Sequence, residues 1–297
     1  PTIDNGYLLI EEGLISDYGR MEKCDLQSLE NVVDKVIDAA GKMVFPSYCD
    51  SHTHLVYAGS REIEFMDKIR GLSYQEIARR GGGILNSVEL LHNTSEDALY
   101  AQAKGRAEEI IAFGTGAVEI KSGYGLTLED EIKMLRVAKR VDEQTPLTGK
   151  TTFLGAHAVP TRHAGRKDEY VDEIVREMIP AVAAEGLADY VDIFCEEGFF
   201  SVEDSEKIFE AGIKYGMRPK VHANQMSFSG GVQVGVKYGA RSVDHLEFTG
   251  EAEFEALKGS DTIPTLLPGA TFFLEMDFAP ARRMIECGLP VAIASNY

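Results

Sequence analysis

Eight short apolar runs, each followed by an amphipathic stretch, set the strongest limit on what this chain can fold into. They fall at roughly 43–49, 115–121, 151–155, 189–195, 217–222, 241–245, 262–266 and 290–295. Short, continuously apolar runs suit strands buried on both faces, and their alternation with helical stretches is that of a parallel sheet covered by helices. The intervening stretches carry helix punctuation. Ser73-x-x-Glu76 fits a capping box, and Thr94-x-x-Asp97, Thr127-x-x-Asp130 and Ser201-x-x-Asp204 are acidic relatives of it. Gly114, Gly186, Gly216, Gly239 and Gly288 fall where those helices should stop. The expectation is an α/β chain whose residues 43–297 form a (β/α)8 TIM-type barrel, with functional groups at the C-terminal strand ends.

Residues 1–42 read differently. Tyr7-Leu8-Leu9-Ile10 and Leu14-Ile15 are short β runs joined through Glu11-Glu12-Gly13, too little to form a stable unit alone. The sequence opens on Pro1 and stops at Tyr297 directly after an apolar run, so the expectation is a trimmed chain whose barrel lacks its C-terminal end.

Composition removes several classes of function. With 297 residues, 44% of them hydrophobic, the chain can bury a large core. Its formal net charge of −18 lacks the basic footprint of a nucleic-acid binder, so no nucleic-acid partner is expected. Acidic stretches such as Glu129-Asp130-Glu131 and Glu251-Ala252-Glu253 read as solvated helix faces. No apolar run nears the roughly 20 residues of a membrane span, and no signal-like segment opens the sequence, which together set the expectation of a cytoplasmic protein without a membrane partner. Cys24, Cys49, Cys195 and Cys287 are widely spaced without a CxxC, a pattern of reduced, mostly buried thiols.

Polar groups gather at the ends of the expected strands. The first strand runs into His52-Thr53-His54, and side chains two apart on an extended segment share a face, so both can meet one metal ion. Later strands run into Lys121-Ser122-Gly123-Tyr124-Gly125, Gly155-Ala156-His157, Cys195-Glu196-Glu197, His222-Ala223-Asn224-Gln225, Asp244-His245 and Ser295-Asn296. Five of the seven histidines thus fall on one rim, leaving His92 and His163 as surface residues. Neutral imidazole suits zinc and several other divalent ions, and three of them with an open position make a hydrolytic centre; His52, His54 and His222 are the expected ligands. His157 and His245 fit substrate binding, proton transfer or a structural role. Related two-metal barrels place a modified lysine at the end of strand four, where this chain has Phe194-Cys195-Glu196; one metal is therefore expected, with Lys121 keeping a second in view. Arg61 fits either a carboxylate clamp or a surface arginine. Gly81-Gly82-Gly83 fits a helix stop or a close backbone approach to a ligand, and no Lys-Ser/Thr follows it to make a phosphate loop.

Taken together, DSHTHL, ARRGGGI, EIKSGYGL, TFLGAHAVP, VHANQMSFSGG and SVDHLE resemble the imidazolonepropionase family of the amidohydrolase superfamily, across essentially the whole chain. The resemblance implies hydrolytic opening of 4-imidazolone-5-propanoate, a small anionic substrate, to N-formimidoyl-L-glutamate, with one zinc or iron ion. It also implies a homodimer and a small β-sandwich-like domain built from both chain ends, of which residues 1–42 supply part. Carried onto this sequence, it makes His52, His54 and His222 metal ligands, lets Arg61, Tyr124 and His157 hold the substrate, with Arg61 on its propionate, and sets His245 beside the reacting water.

Three positions depart from the family's pattern. Gln225 stands where many relatives with this barrel have a glutamate base, and Asn296 stands where an aspartate normally touches the metal and takes a proton. An amide oxygen still ligates or orients, but it supplies no basicity, which leaves His245 as the strong base. Ser47 replaces a usual glycine. Two alternatives stand beside the leading one: a related single-metal aminohydrolase that releases ammonia from a ring, against which Gln225 and EIKSGYGL argue, and a ligand-binding form with catalysis impaired by Gln225 and Asn296.

Overall fold

The computed structural model describes residues 2–29, 32–60, 62–72 and 84–297. The chain divides into two compact units, Pro1–Pro46 and Ser47–Tyr297. In the first, β1 (Gly6–Glu11) and β2 (Leu14–Arg20) pair antiparallel. Glu12 and Gly13 turn the chain between them with φ of 51° and 79°, the pair of left-handed residues that matches the twist of a tight hairpin.

The second unit is a parallel barrel. Its strands are β3 (Tyr48–Thr53), β4 (Thr115–Lys121), β5 (Thr148–Ala156), β6 (Tyr190–Cys195), β7 (Arg218–Pro219), β8 (Val221–Ala223), β9 (Ser242–His245), β10 (Ile263–Leu266) and β11 (Ala292–Ile293). The hydrogen-bonded order is β3-β4-β5-β6-β8-β9-β10-β11, and β7 also pairs with β6, so β7 and β8 are two halves of one barrel strand interrupted at Lys220. The ring closes where the chain after β11 meets β3: Asn296 N–H donates to His52 O at 3.0 Å and His54 N–H to Tyr297 O at 2.7 Å. The fold is the expected (β/α)8 barrel. Helices between the strands bury Ile110, Met134, Leu135, Ile179 and Phe209 against outward strand residues such as Val118, Phe153 and Val191.

Helix ends follow local chemistry. Thr127 and Ser201 accept hydrogen bonds from the backbones of Asp130 and Asp204, and the Ser201–Asp204 pair forms a full capping box. The five glycines expected to stop helices all have positive φ. The expected start at Thr94 shifts by one: Ser95 caps the Glu96–Ala112 helix, because Thr94 turns its hydroxyl back to Leu90 O at 2.7 Å. The Ser73 capping box lies outside the described residues. No helix among the described residues is long and apolar enough to cross a membrane.

Four expectations need correction. The first barrel strand is Tyr48–Thr53 rather than 43–49; Met43, Val44 and Phe45 are exposed and belong to the first unit. The acidic runs are not fully solvated, since Asp130, Glu131 and Glu253 are buried. Of the four free thiols only Cys195 is buried, and Cys49 is exposed. His163 is part-buried against the Tyr170 ring rather than a surface residue, whereas His92 is exposed on Asp130.

The barrel interior departs from the branched apolar layers usual for this fold. Glu119, Lys121, Asp192, Lys220 and Asp244 are all buried, on β4, β6 and β9 and at the break between β7 and β8.

Candidate active site

His52 and His54 sit at the end of β3, where the register against β4 slips between Asp50 and Thr53. That bulge re-aims the strand end, as bulges beside functional sites commonly do. His222 comes from β8 and pairs in register with Phe194 of β6. The ring centroids of His52 and His222 are 4.5 Å apart, those of His52 and His54 5.5 Å, and those of His54 and His222 5.7 Å. One nitrogen from each of the three falls within 4.8 Å of the other two.

A carboxylate beneath His52 sets its tautomer, and a second lies close to His222. His52 Nδ1–H donates to Asp244 Oδ2 at 2.6 Å, which leaves Nε2 with a free lone pair. Asp192 Oδ2 lies 3.1 Å from His222 Nδ1. Burial is the first cause holding all three imidazoles below the ordinary value of 6.5; Lys121 and His222 add to it at His52, and His157 and His222 at His54, while Asp192 opposes it at His222. Neutral rings are the form that binds metal. Burial pushes Asp192 up, but His222 and Lys121 outweigh it and hold this carboxyl well below the usual range. His52 Nε2, His54 Nδ1 and His222 Nε2 are buried and have no hydrogen-bond partner. An unsatisfied buried acceptor costs about 1–3 kcal/mol, and a metal ion held by the three rings would satisfy them.

The rim beside this centre is built by two buried carboxylates: Glu131, which the sequence reads as part of a solvated face, and Glu196, which it sets at a strand end without a specific role. Glu131 accepts from the backbone N–H groups of Gly123 at 3.0 Å, Gly125 at 2.8 Å and Leu126 at 2.8 Å, so its side chain moulds the loop that carries Tyr124. A Cβ on Gly125 would collide with the backbone of Asp130 and Glu131, which is why that loop needs glycine. Tyr124 is thereby held 5.5 Å from the His54 ring and 5.4 Å from His157, and His157 stacks on His54 at 5.1 Å with its Nδ1 3.0 Å from Gly123 O. Glu196, after β6, accepts from Gln225 N–H and Met226 N–H at 2.9 Å each and from the Ser227 hydroxyl. It fixes the backbone of Gln225.

His245 ends β9 with φ of 88°, and its ring lies 5.4 Å from His222 and 5.6 Å from His52. Its Nδ1 faces Glu247 Oε2 across 3.9 Å, and both atoms are buried without a hydrogen bond. Asn296 lies beside His52 through its backbone bond, with φ of 61° and a buried Oδ1 that has no partner. The five rim histidines therefore do converge. Lys121 points below them, its Nζ on Glu119 Oε1 at 2.9 Å and Asp192 Oδ2 at 2.8 Å. Arg61 and Gly81 to Gly83 lie outside the described residues.

Known proteins share both the sequence and the barrel. The chain is 54% identical over all 297 residues to the imidazolonepropionase of Flavobacterium johnsoniae, spanning 71% of it. It is 44% identical over 296 residues to that of Paraburkholderia phymatum, covering 99% of this chain and 72% of the relative. The chain matches no protein-family model. Among solved structures, 5-methylcytosine deaminase from Klebsiella pneumoniae liganded with phosphonocytosine superposes with a TM-score of 0.70 at 16% identity, over 97% of this chain and 71% of that one. Guanine deaminase from C. acetobutylicum gives 0.64 at 13%, over 99% and 70%. Likeness at that identity shows the barrel alone, whereas half the residues are shared with the first relative along the whole chain: this chain belongs to the imidazolonepropionase family.

Proposed function

We propose that the chain opens the ring of 4-imidazolone-5-propanoate to N-formimidoyl-L-glutamate, with His52, His54 and His222 holding a single zinc or iron ion and Asn296 Oδ1 facing it. As a member of its family the chain is a hydrolase of a cyclic C–N bond. The observation that carries the site reading is the trio of buried, unpartnered nitrogens on His52, His54 and His222. An ion held there supplies Lewis-acid polarisation of the ring carbonyl and activation of water near neutral pH.

The protein's own groups do the rest. Tyr124 and His157 flank the ring and hold its plane, while Gln225 hydrogen-bonds it and Arg61 takes the propionate. The water oxygen adds to the carbonyl carbon, the carbonyl–nitrogen bond breaks, and the oxygen ends in the new carboxylate. His245 accepts the water's proton and returns one to the departing ring nitrogen, which becomes the formimidoyl nitrogen. Neither Gln225 nor Asn296 has the basicity for that transfer. Residues 1–42 belong, in the same reading, to a second, small β-domain.

Metal content and product formation test this together. Protein stripped with a chelator should produce no formimidoylglutamate from the imidazolone, and about one equivalent of Zn2+ or Fe2+ should restore turnover. Full activity in the stripped protein, or ammonia as the nitrogen product, would overturn the reading.

A further inference from the structure

We infer that Lys121 is a positioning residue of the metal centre: its ammonium ties together Asp192 and Asp244, the two carboxylates that orient the His222 and His52 imidazoles. The inference rests on the proposed metal site. Lys121 Nζ lies 2.8 Å from Asp192 Oδ2, 2.9 Å from Glu119 Oε1 and 3.8 Å from Asp244 Oδ2, and the side chain is fully buried. The same Asp192 oxygen is 3.1 Å from His222 Nδ1, and the same Asp244 oxygen is 2.6 Å from His52 Nδ1. One ammonium is thus a single atom away from both ring-orienting contacts. Asp192 is fixed further by Ile193 N–H at 2.7 Å and His222 N–H at 3.2 Å on its other oxygen. Asp244 has no such brace: Lys220 Nζ reaches its Oδ2 at 3.5 Å, and its Oδ1 has no partner.

Stability does not account for this layer. Burying ions in a barrel core costs more than their pairing returns unless every lone pair is satisfied, and branched apolar residues fill the same space without that cost. Here Glu119 Oε2 and Asp244 Oδ1 are left unsatisfied. The charges lie directly beneath the ligand rings, where carboxylates facing one another without a cation between them would repel and swing. Groups that orient metal-binding histidines in this way typically govern metal affinity by about 10- to 100-fold.

The test is Co2+ titration of metal-free protein, with Lys121→Met and the double variant Lys121→Met/Glu119→Gln. The double variant removes one positive and one negative charge, so the net charge of the layer is kept if the single variant fails to fold. The expected result is a Kd for Co2+ raised about 10- to 100-fold, shifted visible absorption bands, and at saturating Co2+ a lower kcat with unchanged KM. Either variant, folded and binding Co2+ with an unaltered Kd and spectrum, overturns the inference; a purely structural Lys121 would lower only the Tm. Failure of the unaltered protein to bind Co2+ would instead overturn the three-histidine site itself, and this inference with it.

Discussion

Replacing Glu131 with glutamine separates the work of a carboxylate from that of its shape. In the native protein Oε1 takes Gly125 N–H and Leu126 N–H at 2.8 Å each, and Oε2 takes Gly123 N–H at 3.0 Å. A glutamine keeps its oxygen at the first place, so those two bonds survive in neutral form, each weaker by about 1 kcal/mol than a bond to a charged group. Its NH2 then meets the Gly123 donor, losing one bond and stranding buried hydrogens at about 1–3 kcal/mol. Against this, burial pushes the Glu131 carboxyl up, so removing the charge recovers part of the loss. The balance is about 3 kcal/mol of destabilisation, which for a unit of this size lowers Tm by roughly 6–12 °C. Because the loop carries Tyr124, KM should rise along with the loss of stability. Calorimetry and steady-state kinetics on Glu131→Gln check both; a Tm within about 2 °C of the parent with unchanged KM would refute the loop-moulding role.

Glu247→Gln should lower kcat about tenfold with KM unchanged, because the buried Oε2 that faces His245 Nδ1 across 3.9 Å would no longer carry charge; a change in KM alone would place Glu247 outside proton transfer. Asn296→Asp restores a carboxylate beside His52 and should raise kcat about 10- to 100-fold; an unchanged kcat would mean that His245 needs no second base. For metal-free protein, His52, His54 and His222 are held below 6.5 in the folded state, first by burial. The unfolded chain therefore takes up protons that the folded chain refuses, so stability is full above pH 6.5 and falls as the pH drops below it, by up to about 1.4 kcal/mol per pH unit for each ring. Scanning calorimetry between pH 8 and 5.5 should show Tm falling with acidification, and a flat or rising Tm would refute neutral rings.

The barrel was legible because its strands are short, largely apolar runs that alternate with helical stretches, and seven of the eight runs mark observed strands to within a few residues. The first failed for a physical reason. Met43-Val44-Phe45 is apolar but exposed, whereas the strand that enters the barrel starts at Tyr48 and carries Asp50, Ser51 and His52. The rim histidines were legible through spacing and position at strand ends. What lies beneath and behind them was not, since an acidic residue in a helix or loop reads by default as solvated. Glu131, Glu196 and Glu247 depart from that default because backbone N–H groups or, for Glu196 and Glu247, the hydroxyls of Ser227 and Thr271 lie within reach. The one local signal was Glu119-Ile120-Lys121: two opposite charges on one face of an otherwise apolar parallel strand belong inside a barrel only as a pair.

The same accounting of polar atoms bears on the proposed proton transfer in a site that carries amides at Gln225 and Asn296. Asp192 and Asp244 are engaged by His222, His52 and Lys121. Glu196 and Glu131 have backbone donors on both oxygens or a hydroxyl on one of them. Asp192, Glu196 and Glu131 thus have partners on both oxygens, whereas Asp244 keeps a buried Oδ1 without one. Gln225 and Asn296 lack basicity. His245 remains, on a backbone at φ of 88° that for a non-glycine residue costs about 1–3 kcal/mol to hold. That conformation holds its ring 5.4 Å from His222 and leaves Nδ1 facing a buried carboxylate oxygen without a partner of its own. In the proposed reaction this placement makes His245 the proton carrier, so the transfer would run through the strand that bends sharply at its end rather than through the strand that carries Asn296.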